Sequence, residues 1–280
     1  MISLELQRKR RMMVKGRHRR TSKYYLFAAL ALSPVAAACG PVAKVAGTST
    51  NDSVLNVAIN PGFVPFEQIS NGKLVGFDVD LSRALGKELG YGKVHFDEMP
   101  FTSLIAAVTS HRDDVAISGI LDTPAREQEV SFSTPYIRDA FVLAVDASNT
   151  TVHGLADLAH STIAVQVGTI PAQFVRDRLP NATIVTTQDT PSAFQLVAEG
   201  RATATVTDGP VADYYVKQLG GKLRVLSQPL NQAEPIGVVM PKGSSLVSRV
   251  NSALSKLNSD GILPALREKW LGTSATSTSG

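Results

Sequence analysis

Between residues 115 and 210, a short apolar or β-branched run is followed four times by a proline placed where a helix would begin. The runs are residues 115–117, 162–166, 183–186 and 202–207, and the dipeptides after them are Thr123-Pro124, Ile170-Pro171, Thr190-Pro191 and Gly209-Pro210. Proline suits a first helical turn, because its missing N–H would have no partner there and its φ is already helical. A chain that alternates strands with helices started in this way is confined to the α/β class, with helices covering sheet faces. Further strands are expected over 54–60, 141–145 and 236–240. Leu81, Leu85 and Leu89 form a helical stripe, and Phe101, Leu104, Ile105 and Val108 repeat the i, i+3, i+4, i+7 spacing. Each proline-marked start leaves N–H groups at a helix terminus that suit a carboxylate, although plain capping explains any one of them alone.

A length of 280 residues allows one large domain or two modest ones. The net charge of +4 is unevenly placed: residues 1–38 hold nine cations and one acid, leaving 19 cations and 23 acids in the rest. A mildly acidic body argues against a phosphate-backbone footprint, so no nucleic-acid partner is expected. The basic run precedes the stretch YYLFAALALSPVAAA and then Cys39. Fifteen residues are too few to span a bilayer core, which takes about 20 in helix. A charged start, a short apolar segment and small residues before a cut describe a signal peptide over residues 1–38. AAA before Cys39 and Gly40 after it resembles a bacterial lipobox. Cys39 is thus expected to become the lipidated, palmitate-bearing mature N-terminus, and residues 39–51 a linker. The alternative is a soluble signal peptide with an incidental cysteine. Residues 273–280 read as a disordered tail.

Catalytic machinery is not legible. His95, His111, His153 and His160 show no metal-binding spacing, and there is no GxSxG elbow, Walker loop or GxGxxG after a strand. The sole cysteine is assigned to lipid. Neither cofactor nor metal is expected, and the chain is read as a non-enzyme.

Several segments, in order, resemble the extracytoplasmic amino-acid-binding proteins of ABC importers: NPGFVPFEQISNGKLVGFDVDLSRAL, MPFTSLIAAV, SGILDTPAREQEVSFSTPY, IAVQVGT and ATVTDGPVADYY. The resemblance implies a two-lobed type II periplasmic-binding fold. Lobe 1 would comprise residues 52–139 and 237–272 and lobe 2 residues 145–231, with crossovers near 140–144 and 232–236. It further implies an amino-acid ligand, a membrane permease as partner, a monomer, and a place outside the cell membrane, held there by lipid at Cys39.

The same resemblance implies site residues. Arg126 would grip the ligand carboxylate bidentately, although a surface pair with Glu129 is its bland alternative. Gly168 and Thr169 would offer N–H groups to that carboxylate, and Asp208 would receive the α-ammonium or simply cap the next helix. Phe63 and Phe101 resemble the aromatic pair that encloses the side chain in glutamine-binding relatives. Asp78 reads as a helix N-cap. Many relatives have Ser or Thr where this chain has Leu121, which removes one hydroxyl; Gly119 can still offer its carbonyl. Some relatives carry an acid where Asn60 stands, and Thr207 adds only a neutral hydroxyl. A neutral polar or small amino acid is therefore expected. Two alternatives stay open: a cyclohexadienyl-dehydratase-like enzyme on the same fold, or a sensor domain for a small carboxylate.

Overall fold

The computed structural model describes residues 53–272 apart from Ser227. The basic run, Cys39, the whole linker over 39–51 and the tail over 273–280 lie outside them. The chain runs β1 (Val54–Ile59), β2 (Gln68–Ser70), β3 (Lys73–Val75), α1 (Phe77–Glu88), β4 (Lys93–Glu98), a 3-10 turn (Phe101–Ser103) leading into α2 (Leu104–Thr109), β5 (Val115–Ala116), α3 (Pro124–Glu127), β6 (Val130–Phe132) and β7 (Ile137–Asp139). It continues with β8 (Phe141–Asp146), a second 3-10 turn (Leu155–Leu158), β9 (Thr162–Gln166), α4 (Ile170–Arg178), β10 (Thr183–Thr187), α5 (Thr190–Ala198), β11 (Ala204–Asp208), α6 (Gly209–Gln218), β12 (Leu223–Leu226), β13 (Glu234–Ile236), β14 (Val239–Pro241), α7 (Leu246–Ser259) and α8 (Ile262–Leu271).

The four proline-marked starts become α3, α4, α5 and α6. Thr123, Thr169 and Asp189 cap the first three, accepting from the N–H of Arg126, Ala172 and Ser192 at 3.3, 3.3 and 2.9 Å. These bonds satisfy donors that the helix itself cannot reach.

Two five-stranded sheets result, in the orders β4-β1-β5-β14-β6 and β10-β9-β11-β8-β12. In each, four strands run one way and one runs against them: β4, β1 and β5 pair in parallel and β14 lies antiparallel between β5 and β6, while β10, β9 and β11 pair in parallel and β8 lies antiparallel between β11 and β12. Each sheet is the core of a lobe, and the chain leaves the first lobe after β6 and returns to it at β14. The crossing strands β7 and β13 form a two-stranded antiparallel sheet of their own, with Ile137 opposite Ile236 and Asp139 opposite Glu234.

Two boundaries differ from the sequence expectation. The first crossing comes at β7 rather than over 140–144, since Phe141 is already registered with Asp208 in the second sheet. The single strand expected over 236–240 is two, β13 and β14. Gly237 lies between them, where a Cβ would meet Phe132 and the Ser133 carbonyl at 3.3 Å.

Candidate functional site

The parallel strands of both sheets end toward one cavity between the lobes. Strand ends in open α/β sheets leave a crevice that helix N-termini and loops line, which is where such folds place their ligands. From the first lobe the wall comprises Phe63, Phe101, Ser118, Gly119, Leu121 and Arg126. From the second it comprises Gln166, Thr169, Ile170, Pro171, Thr190, Ala193, Thr205, Val206, Thr207 and Asp208. About 510 Å³ of free space, open solvent included, lies within it. The lobes touch around this space. Gln166 Nε2 donates to Asn60 Oδ1 at 2.9 Å, Arg126 Nη2 to the Gly168 carbonyl at 3.3 Å, and Tyr215 Oη to the Gly62 carbonyl at 2.6 Å.

Arg126 is placed by the short helix that Thr123 caps. Its Nη1 donates to the Leu121 carbonyl at 2.8 Å, and the guanidinium lies 5.5 Å from the centre of the Phe101 ring. Burial lowers its pKa to about 10, so it stays cationic at neutral pH. Two of its five N–H donors are held in this way, which leaves others for a ligand anion.

Asp208 faces it from the end of β11. It occupies the N-cap position of α6 but makes no capping bond with its side chain; it is 3% exposed, and its buried Oδ1 has no hydrogen-bond partner. Burial, then the nearby charge of Asp139, raises its pKa well above the usual carboxylate range. Asp139 is itself raised to about 7 by burial. A buried carboxyl without a donor or counter-ion is costly, and a ligand ammonium supplies both.

The backbone shapes the rest. Gly119 has φ +55, and a Cβ there would lie 2.5 Å from the Phe63 ring, so the ring rests directly on its main chain. Gly168 has φ +78, and a Cβ would meet the Thr102 side chain of the other lobe at 2.8 Å. No hydrogen bond among the described residues takes up the Gly168 or Thr169 N–H, while the Thr169 hydroxyl is committed to the Gln166 carbonyl and the α4 cap. Leu121 is bridged to Ile236 of β13, which ties the cavity wall to the crossing strands.

Phe63, Phe101, Gly119, Leu121, Arg126, Thr169, Thr207 and Asp208 therefore come together on the wall, whereas Asn60 and Gly168 stand just outside it. Asn60 does not face the cavity as expected, because its side chain is spent on the Met99 carbonyl and on Gln166. Asp78 is not the cap of α1. Gly76 holds that position at φ 143, and a Cβ there would lie 2.1 Å from the Phe66 carbonyl oxygen, so the chain enters the helix against Phe66 and Glu67. Asp78 turns inward instead, fully buried, accepting from the Gly119 N–H at 2.7 Å and Tyr136 Oη at 3.1 Å.

Sequence reasoning missed Gln166, Ser118, Thr190 and Thr205. Gln166 carried a signal, as the one long polar side chain at the end of an apolar strand. Its amide also accepts from Thr190 Oγ1 at 2.8 Å. Among the described residues no group of three His, Cys, Asp or Glu is placed to hold a metal.

Comparison with known proteins agrees with this geometry. The family described as bacterial extracellular solute-binding proteins, family 3, matches residues 55–273. The chain is 30% identical to ABC transporter arginine-binding protein 1 of Escherichia coli K12, over 77% of this chain and 90% of that one. It is also 30% identical to the L-cystine-binding protein TcyJ of the same organism, over 84% and 94%. An ancestral arginine-binding protein solved with arginine superposes with a TM-score of 0.76 at 35% identity, covering 79% of this chain and all of that one. Two sheets joined by two crossing strands are the type II periplasmic-binding architecture, and the chain belongs to the bacterial extracellular solute-binding proteins of family 3.

Proposed function

We propose that this protein captures a free amino acid outside the cytoplasmic membrane and delivers it to the permease of an ABC importer. One observation carries the reading: a half-buried cation, Arg126, and a buried carboxyl with one oxygen unpartnered, Asp208, face one cavity from opposite lobes. A free amino acid presents a carboxylate and an ammonium a short distance apart, and it satisfies both groups when the lobes are together. The relatives named above as arginine- and cystine-binding proteins support an amino acid as the ligand class.

A neutral polar or small side chain is favoured. Among the described residues Asp208 is the one carboxylate on the wall; Ser118, Gln166, Thr190, Thr205 and Thr207 are neutral. Phe63 and Phe101 flank the space as the aromatic pair of glutamine-binding proteins is expected to. Asn60 gives no negative charge to a guanidinium. The role is passive binding, with Cys39 as the lipid anchor holding a monomer at the membrane surface.

A thermal-shift screen of the twenty amino acids, cystine and cyclic carboxylic acids tests this. The expected result is stabilisation by one or a few neutral amino acids, which Arg126→Ala abolishes. Stabilisation by arginine alone overturns the side-chain preference, and turnover of a cyclic acid favours the dehydratase reading. Mass spectrometry of the mature protein is expected to find lipid on Cys39, absent in Cys39→Ala.

A further inference from the structure

Behind the Ser118–Gly119 stretch of the wall lies a second pair of acids. Glu67, in the loop after β1, and Asp78, in α1, are both fully buried. Glu67 Oε1 accepts from Ser118 Oγ at 2.6 Å, and Asp78 Oδ2 accepts from the Gly119 N–H and from Tyr136 Oη. The other oxygen of each, Glu67 Oε2 and Asp78 Oδ1, is buried and receives no donor from the protein. The two carboxyls are within hydrogen-bonding reach of each other. Among the described residues none of the ion pairs includes either. Around them stand Phe66, Phe77 and Tyr136, with ring centroids 5.9 and 5.8 Å apart in sequence. The facing titratable groups are the Tyr136 and Tyr215 phenols, both raised and uncharged at neutral pH. The nearby cation Arg267 is turned to the Tyr136 carbonyl, at 2.6 Å.

We infer that Glu67 and Asp78 hold one proton between them, Oε2 to Oδ1, and that this carboxyl–carboxylate pair is the positioning device that fixes Ser118 and Gly119 in the cavity wall. Two adjacent buried carboxylates without a cation repel, and a single proton between them converts the repulsion into a hydrogen bond. Burial raises both groups, Asp78 to about 7, in the direction that keeps such a proton. The remaining negative charge is directed at the Gly119 N–H, which makes that bond charge-assisted. Ser118 is fixed by the same pair: its proton goes to Glu67, and its oxygen accepts from the Asn60 N–H at 3.0 Å. Neither the Ser118 proton nor the Gly119 N–H is therefore available to a ligand. The inference rests on the proposed function only in calling this stretch a ligand wall.

The test uses the ligand-free protein, so its outcome is separate from that of amino-acid binding. Carboxyl carbon-13 resonances of Glu67 and Asp78 and the Gly119 amide are followed by NMR from pH 5 to 9. At pH 7 the pair is expected to carry one proton, and the Gly119 amide proton is expected to lie downfield and to move with the same transition. Glu67→Gln, which supplies a permanent N–H in place of the shared proton, is expected to leave the Gly119 amide downfield and flat across this range. Asp78→Asn, which removes the charge from the acceptor, is expected to shift it upfield. Two fully ionised carboxyls at pH 7, or a Gly119 amide that ignores their titration, overturns the inference. If one variant fails to fold, the wild-type titration and the other variant still decide.

Discussion

Arg126 takes part in none of the ion pairs among the described residues and Asp208 Oδ1 receives no donor, and at the residue scale those are the properties a ligand could use. Truncating one side of a buried charge pair costs about 2–5 kcal/mol. Arg126→Ala is therefore expected to weaken the ligand found by screening by ~30-fold or more in calorimetry. Asp208→Asn should weaken it similarly while leaving the melting temperature of the empty protein unchanged or higher, because a buried carboxyl with an unpartnered oxygen is removed. Gly119 offers a different kind of test. At φ +55, with Phe63 2.5 Å from the site of a Cβ, Gly119→Ala must move the ring or the backbone. It is expected to lower both the melting temperature and the affinity, whereas Gly90→Ala, also at positive φ but in open space, should lower stability alone.

At the scale of single elements, α5 separates folding from function. Its cap, Asp189, accepts from the Ser192 N–H at 2.9 Å and does not line the cavity. Asp189→Ala is expected to cost about 1 kcal/mol of stability in denaturant titrations and to leave affinity within twofold. Thr169 performs the same capping for α4 and also lines the cavity, so one residue both starts a helix and forms part of the wall.

For the whole molecule, the lobes are joined by β7 and β13 and bridged by Gln166–Asn60, Arg126–Gly168 and Tyr215–Gly62. Two crossing strands allow a hinge motion, and ligand is expected to shift the population toward the joined arrangement. Small-angle scattering should give a smaller radius of gyration at saturating ligand than without it. Identical profiles, with binding confirmed, would remove the hinge from the mechanism. The buried acids add a pH dependence. Glu67, Asp78, Asp139 and Asp208 are all raised by burial, Asp78 and Asp139 to about 7. Each folded-state carboxyl then holds its proton more tightly than the unfolded chain does. Its contribution is full below the ordinary carboxylate pKa of about 4 and is lost as pH rises through the folded value. The empty protein is expected to melt lower at pH 8 than at pH 5. A ligand ammonium pairs with ionised Asp208, so the gain in melting temperature on adding ligand should be larger at pH 8.

Local rules reach far in this chain. The α/β class and the four helix starts follow from proline placement and apolar runs, because caps and periodicity act over a few residues, whereas Arg126 and Asp208 are singled out by the resemblance of whole segments to a known family. Tertiary structure alone decided where the chain crosses between lobes, since β7 and β13 are three-residue strands whose pairing brings together residues some hundred positions apart. It also decided that Asn60 is spent on Gln166 rather than on the cavity, and that Asp78 faces Glu67 instead of capping its own helix. Those outcomes depend on which donors lie across a gap once the sheets have formed. A polar side chain takes the partner that burial leaves it, and no spacing along the sequence records that partner.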